Sequence, residues 1–350
     1  MNRVLIYRLG SLGDTLVALP VFHLVRDTFP SAHIDVLTNE PVQDSAPPLA
    51  SVLEHSGLVD GTLGYPIGLR NWDKVRRLRR EIAAKKYDLA INLASVRPSK
   101  KLATSVRDHL FLRWCGAKRV IGTPYRKRDL NCALDERTGL FESEAKRLAR
   151  RLKPLGEIDL DSPNSWDLRL TTDERSKADS LMLEHGISGK VLAFSLGTKA
   201  DTKDWTQPNW LRLLDHLGRT RRDVALVGIG SPGDWQRTQE CMAVWTGRAA
   251  NLCGVASVRV MAAVLQRALV FVGHDSGPGH LAATVGTPCV GIHSATNLAG
   301  QWFPRGNHNK ILLTQPACRG CGLLTCEQYD KKCIRDVSWV DVAAAVSAYL

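Results

Sequence analysis

The chain has 350 residues, long for one compact core, so two domains of ordinary size are expected. With 44% apolar and 23% charged residues it has a globular composition, and no apolar run approaches the ~18–20 residues that cross a membrane. The net charge of +12, concentrated in Arg70–Lys86, Arg97–Lys101 and Lys118–Arg128, favours anionic partners, with nucleic acid ranked last because no aromatics interleave the basic residues. Arg70–Lys86 reads equally well as a solvated helix face. The N-terminus has one strand-length apolar run and then glycines instead of a secretory leader, so a cytoplasmic location is expected.

In chain order, Val4–Leu9, Ile34–Thr38, Leu89–Leu93 and Arg119–Gly122 read as strands, and Asp14–Thr28, Asp73–Ala84, Ser99–Cys115 and Glu142–Leu152 as helices. The polar stretch Gly156–Leu168 reads as a linker. A second series follows, with strands at Val191–Ser195, Val224–Ile229, Leu269–Gly273, Cys289–His293 and Lys310–Leu313. Its helices are Pro208–Arg219, Gly233–Trp245, Val258–Arg267 and Gly279–Val285. This βα alternation predicts two doubly wound α/β domains, 1–165 and 166–335, with ligands at the carboxyl ends of the strands in an interdomain cleft. The last segment, 336–350, is an amphipathic helix able to pack on either domain, the return to the N-terminal one included.

Four loops after strands carry polar chemistry. Gly10-Ser11-Leu12-Gly13-Asp14 opens a helix, and its glycines permit close backbone approach of a ligand. Asp14 is either a first-turn capping acid or a general base, and position alone weighs the two evenly. Gly197, Thr198 and Lys203 follow the first strand of the second series and are residue types that bind phosphate oxygens, although two lysines in a surface loop are also unremarkable. Gly228–Gly233 matches GxGxxG, but Cys241–His274 contains no Asp or Glu to hold a ribose, so the pattern is a decoy for NAD. His274–His280 combines Ser276, Gly277 and a helix start at Gly279 into an anion site. Asp275 would repel phosphate, so it reads as a loop-setting residue or a partner for a donor hydroxyl. His280 is a core histidine unless its loop context says otherwise.

The ordered set of motifs, Arg8–Asp14 with Leu19-Pro20, Gly197-Thr198 with Lys203 and Trp205, Gly230–Asp234, His274–Ala283 and Gly286–Pro288, resembles the heptosyltransferases, the family 9 glycosyltransferases of lipopolysaccharide assembly. The resemblance covers essentially the whole chain and implies a GT-B fold, an acceptor-binding N-terminal domain and a C-terminal domain for ADP-activated heptose. It also implies that Asp14 is the base and that Thr198, Lys203, Asp275, Ser276, Gly277 and His280 contact donor, with Asp234 the one acid on offer where relatives often place a Glu for the ribose. Here the frequent Asp-Thr-Gly-Leu-x-His reads Asp-Ser-Gly-Pro-Gly-His. The expected reaction is inverting transfer without a catalytic cofactor, in which Asp14 takes the acceptor proton while Lys203, Thr198, Ser276 and Gly279 stabilise the departing diphosphate. Gly10, Ser11, Gly13, Arg97, Lys100 and Lys101 are the acceptor-side candidates, for an anionic glycan or glycolipid met at the inner membrane surface. The alternatives are a sugar-nucleotide epimerase and a protein O-heptosyltransferase.

The odd count of nine cysteines argues for reduced thiols. Cys318, Cys321, Cys326 and Cys333 cluster at spacings suited to a tetrahedral structural site for zinc or iron, against the blander reading of four reduced thiols or a labile disulfide. Cys115, Cys132, Cys241, Cys253 and Cys289 read as core or surface residues.

Overall fold

The computed structural model describes residues 1–40, 47–66, 71–94 and 101–350. It divides into two compact units, Met1–Arg169 and Leu170–Leu350.

The first unit runs β1 Arg3–Tyr7, α1 Leu12–Leu16, α2 Leu19–Thr28, β2 His33–Glu40, α3 Leu49–Leu53, β3 Gly61–Pro66, α4 Trp72–Ala84, β4 Leu89–Asn92, α5 Lys101–Trp114 and β5 Arg119–Ile121. It closes with α6 Lys127–Leu130, a hairpin of β6 Leu134–Asp135 and β7 Leu140–Phe141, and α7 Glu144–Arg151. β1 to β5 form a parallel sheet in the order β3-β2-β1-β4-β5. β1 and β4 are nearly continuous apolar runs because a central parallel strand is covered on both faces, and Val4, Leu5, Ile6, Leu89, Ala90 and Ile91 are all buried. β3 escaped the sequence reading because its two glycines and proline resemble a turn. As an edge strand it tolerates them.

The single helix expected over Asp14–Thr28 is two. Pro20 has no N–H and would meet the carbonyl of Leu16 inside a continuous helix, so the chain restarts at Leu19 with the proline in the first turn. The stretch read as a linker packs on the first unit instead. Trp166 is buried and donates its indole N–H to the Leu160 carbonyl at 2.9 Å, and the His23 ring Nε2 lies 2.8 Å from the Asp167 carbonyl oxygen. The units therefore part at 169–170, a few residues beyond the expected 165.

The second unit runs α8 Thr172–Glu184, β8 Lys190–Ser195, α9 Gln207–Thr220, β9 Val224–Gly228, α10 Trp235–Met242, β10 Ala249–Asn251, α11 Val258–Leu265, β11 Val270–His274, α12 Gly277–Thr284, β12 Cys289–Ile292 and β13 Lys310–Leu312. Two helices, α13 Lys332–Arg335 and α14 Trp339–Ser347, follow. The sheet is parallel in the order β10-β9-β8-β11-β12-β13. α14 buries Val342, Ala343 and Val346 in the core that holds Trp205, Trp210 and Leu213, so the last segment is part of the second unit. Trp205 ties the seam by donating its indole N–H to the Val337 carbonyl at 2.8 Å.

Both sheets are doubly wound, and in each the strand order reverses beside the first strand, between β1 and β4 and between β8 and β11. Such a switch point parts the loops on either side and is where open α/β sheets bind ligands. Among the described residues no helix is long and apolar enough to cross a membrane.

Candidate functional site

At the first switch point, β1 is followed by the buried Arg8 and the chain turns through Gly10, whose φ of +143° only glycine adopts readily. A Cβ at Gly10 would collide with the Asp14 carboxyl group. Ser11 caps α1, and Asp14 reaches back to it, with Oδ2 accepting from the Ser11 N–H at 2.9 Å and from its hydroxyl at 3.2 Å. Beneath, Arg8 donates to the Asp14 carbonyl through Nε at 3.2 Å and Nη2 at 2.7 Å, and to the Leu93 carbonyl through Nη1 at 2.8 Å. The same Nη2 lies 3.6 Å from Asp14 Oδ1, and the Asp14 side chain is 25% exposed. Asp14 thus sits as a capping acid in the first turn of α1, with its side chain a quarter exposed.

At the second switch point, the loops after β8 and β11 meet through an ion pair. Lys203 Nζ lies 2.6 Å from Asp275 Oδ2, and the Asn297 amide donates to the same oxygen at 2.8 Å. Burial alone would raise the Asp275 pKa, but the Lys203 ammonium, with His293 and His280 behind it, brings it down to about 2. The carboxylate is therefore a permanent anion already matched by a cation. His274 accepts from the Trp205 N–H through Nε2 at 3.1 Å, and burial pulls both it and His293 down to about 4, so both rings are neutral near pH 7.

Ser276 is the N-cap of α12, which starts at Gly277, earlier than the expected Gly279; Pro278 in the first turn is compatible with that start. The first N–H groups of a helix lack intrahelical partners, so this terminus presents the positive end of the dipole. His280 is buried on α12 with its ring edge-on to Trp302, as a core histidine would be. Thr198 folds over its own loop, its hydroxyl 3.3 Å from the Ala200 carbonyl. Asp234 accepts from the Ser231 N–H at 2.8 Å and hydroxyl at 2.6 Å, and a Cβ on Gly197 would come within 2.7 Å of its Oδ2. The strand after the GxGxxG-like loop ends at Asn251, where a dinucleotide site needs an acid.

The structure brings Lys203, Asp275, Ser276 and Gly277 to one switch point, and Gly197 and Asp234 to the neighbouring loop pair. Gly10 and Ser11 lie in the β1–α1 turn, and Gly13 and Asp14 in the first turn of α1. Arg97 and Lys100 lie outside the described residues, as does the side chain of Lys101. Asn297 was missed, since an Asn in a loop after β12 carries no motif.

Cys318, Cys321, Cys326 and Cys333 are all reduced and line one cavity of about 20 Å³. As placed, no set of three or more His, Cys, Asp or Glu side chains among the described residues is arranged to hold a metal ion. The expectation of a metal there has the donor chemistry without the ligating geometry. The other five cysteines are buried.

The family model for glycosyltransferase family 9 (heptosyltransferase) matches residues 75–327. The chain belongs to this family. It is a glycosyltransferase, and its two doubly wound units are those of the GT-B fold. Lipopolysaccharide heptosyltransferase 3 of Escherichia coli K12 is 26% identical over 298 residues, 81% of this chain and 80% of the relative. A family 9 glycosyltransferase from Veillonella parvula superposes with a TM-score of 0.75 at 19% identity, covering 99% of this chain and 97% of that one. The ADP-heptose lipopolysaccharide heptosyltransferase II of E. coli does so with a TM-score of 0.66 at 17% identity, covering 100% and 98%. In this family 9 glycosyltransferase the two switch points are accordingly the places to look for the reacting groups.

Proposed function

We propose that this glycosyltransferase moves heptose from ADP-heptose to a hydroxyl of an anionic glycan or glycolipid, in lipopolysaccharide or related surface-glycan assembly, inverting the anomeric centre without a metal ion. The names of its E. coli relatives, a lipopolysaccharide heptosyltransferase and an ADP-heptose lipopolysaccharide heptosyltransferase, support the donor and the pathway. The observation that carries the reading is the Lys203–Asp275–Asn297 cluster beside the start of α12. Matched by Lys203, Asp275 no longer repels a diphosphate. Its place is to hold the ammonium and the loop, while the N–H groups of α12, the Ser276 and Thr198 hydroxyls and Lys203 receive the charge that develops on the leaving group. Gly197, whose missing Cβ lets the Asp234 carboxylate pack against it, lies with Asp234 on the nucleoside side.

In the first unit, Asp14 takes the proton of the acceptor hydroxyl as that oxygen attacks the anomeric carbon opposite the diphosphate. Ser11 and Arg8 hold the carboxylate in place for it. Gly10, Ser11 and Gly13 shape the acceptor side, with Arg97, Lys100 and Lys101 as basic contacts. An acceptor of this charge would be met at the cytoplasmic face of the inner membrane, and acceptor binding that ignores salt would contradict that. Zinc or iron at the four late cysteines would be structural, because four protein ligands leave no open coordination position.

Two measurements test the reading. A thermal-shift screen over ADP-, UDP-, GDP- and dTDP-sugars should give its largest shift with the ADP-sugar. Incubation with ADP-heptose alone should leave the donor unchanged, and formation of a new sugar nucleotide would mark an epimerase instead. A product appearing only with polypeptide acceptors would mark a protein O-heptosyltransferase. Full activity in EDTA is expected, and loss restored by Mg²⁺ or Mn²⁺ would end the metal-free account.

A further inference from the structure

Lys203, Asp204, Trp205 and Thr206 close the loop between β8 and α9, and the first three are fastened to different elements. β9 and β11 flank β8 in the sheet. Lys203 pairs with Asp275, in the loop after β11. Asp204 is held from the other flank: its Oδ1 accepts from Arg237 Nη2, on the helix α10 that follows β9, at 2.8 Å. Trp205 gives its N–H to His274 Nε2 at 3.1 Å and its indole N–H to the Val337 carbonyl. Thr206, the N-cap of α9, has φ +74° and ψ 148°, a conformation nearly confined to glycine and strained for a β-branched residue.

A strained residue persists only where its surroundings hold it. Here the same Asp204 oxygen that pairs with Arg237 accepts the Thr206 N–H at 3.1 Å. Burial would raise the Asp204 pKa, but the Arg237 guanidinium, with the Thr206 N–H, holds it below the ordinary value, so the pair is charged near pH 7. Arg237 lies three residues after Asp234, the N-cap of α10, whose carboxylate fills the space that a Cβ on Gly197 or Gly230 would need. One helix thus carries, a turn apart, the acid of the nucleoside side and the cation that holds the residue next to Lys203.

We propose that Arg237 and Asp204 are positioning residues for the donor, a latch that fixes the turn at Thr206 and, through it, the direction from which Lys203 meets the diphosphate. The proposal rests on the reading of the second unit as the donor site. Arg237 acts on Asp204, and Asp204 acts on the lysine beside it; neither touches the donor. Because α10 starts at Asp234, the latch also sets the spacing between the nucleoside contact and the diphosphate contact, and so favours nucleotides with two phosphates over those with one.

The test compares ADP with AMP, which lacks the second phosphate, by calorimetry on the full chain, with urea midpoints to show that each variant is folded. Arg237→Met, and Asp204→Asn, which keeps an acceptor for the Thr206 N–H, should each bind ADP about tenfold more weakly and AMP within about twofold of the wild type. In the Lys203→Met/Asp275→Asn background, where the lysine is absent, adding Arg237→Met should change ADP affinity by less than about twofold. ADP affinity within about twofold of the wild type in both single variants overturns the latch. So does an equal weakening of ADP and AMP, or the full loss appearing again without the lysine, because either marks a general effect on the fold of the site. A wild type that binds ADP no more tightly than AMP or UDP removes the donor reading itself, a failure distinct from the others.

Discussion

Asp14 and Asp275 both flank the switch point of a doubly wound parallel sheet, one in the first turn of the helix after β1 and the other in the loop after β11, yet their surroundings differ sharply. Asp14 is held by an N–H and a hydroxyl on one oxygen, with Arg8 at 3.6 Å from the other, and it stays a quarter exposed. Asp275 is buried, clamped by Lys203 and Asn297 on one oxygen, and held at about 2. A carboxylate that must exchange a proton needs access. One that serves as a fixed counter-charge needs burial and a partner, and a switch point supplies either according to what the neighbouring loops contribute.

The strongest way to sharpen this contrast is Asp14→Asn, which keeps the shape and an acceptor oxygen for Ser11 while removing the base. Turnover should fall about 10²–10⁴-fold with ADP affinity unchanged, as read by steady-state kinetics and calorimetry. If turnover stays within a few-fold, Asp14 is a cap and nothing more. Lys203→Met should behave differently, leaving a buried carboxylate unpaired and costing about 3–5 kcal/mol in denaturant unfolding. The double variant Lys203→Met/Asp275→Asn should recover most of that stability without recovering ADP affinity, and joint recovery of both would refute a donor role for the lysine.

A pH series tests the buried side of the comparison. His274 and His293 are held near 4 by burial, below their ordinary 6.5, so their contribution to folding is intact above about pH 6.5 and declines as pH falls toward 4, where the unfolded chain takes up protons that the folded one refuses. Asp275, held at about 2, adds a further loss only as pH drops from about 4 toward 2. Urea midpoints should therefore be level from pH 7 to 8 and fall between pH 6.5 and 4 by on the order of 1 kcal/mol per pH unit per histidine, with His293→Asn flattening the slope. The smallest effect is Ser11→Ala, worth about 0.5–2 kcal/mol as a lost cap, with a modest fall in turnover from a less well held Asp14.

Most of the strand and helix order was legible because both sheets are buried parallel sheets, whose strands are long apolar runs between amphipathic helices. The misses share physical causes. β3 carries turn residues that only an edge tolerates, β10 is a three-residue strand, and the Pro163–Trp166 turn looks like a linker until Trp166 is seen buried. In the loop His274–His280 the residues are nameable from their types, and a carboxylate such as Asp275 calls for a partner there. What no local pattern reveals is that Lys203, far away in sequence, and Asn297, in an unremarkable loop, come together to answer it. Arg8 stood within a motif, but its bond to the Leu93 carbonyl follows from strand pairing across β1 and β4.

The packing of α14 bears on how the chain is made. The first unit has all its strands by residue 141 and can close its core while the ribosome is still at work downstream. The second cannot, because Val342, Ala343 and Val346 fill the space beside Trp205 and Trp210. Its core is complete only once α14 has emerged. A stalled or truncated nascent chain would thus present a finished first unit joined to a sticky, unfinished second one, on which chaperones and proteases would act first.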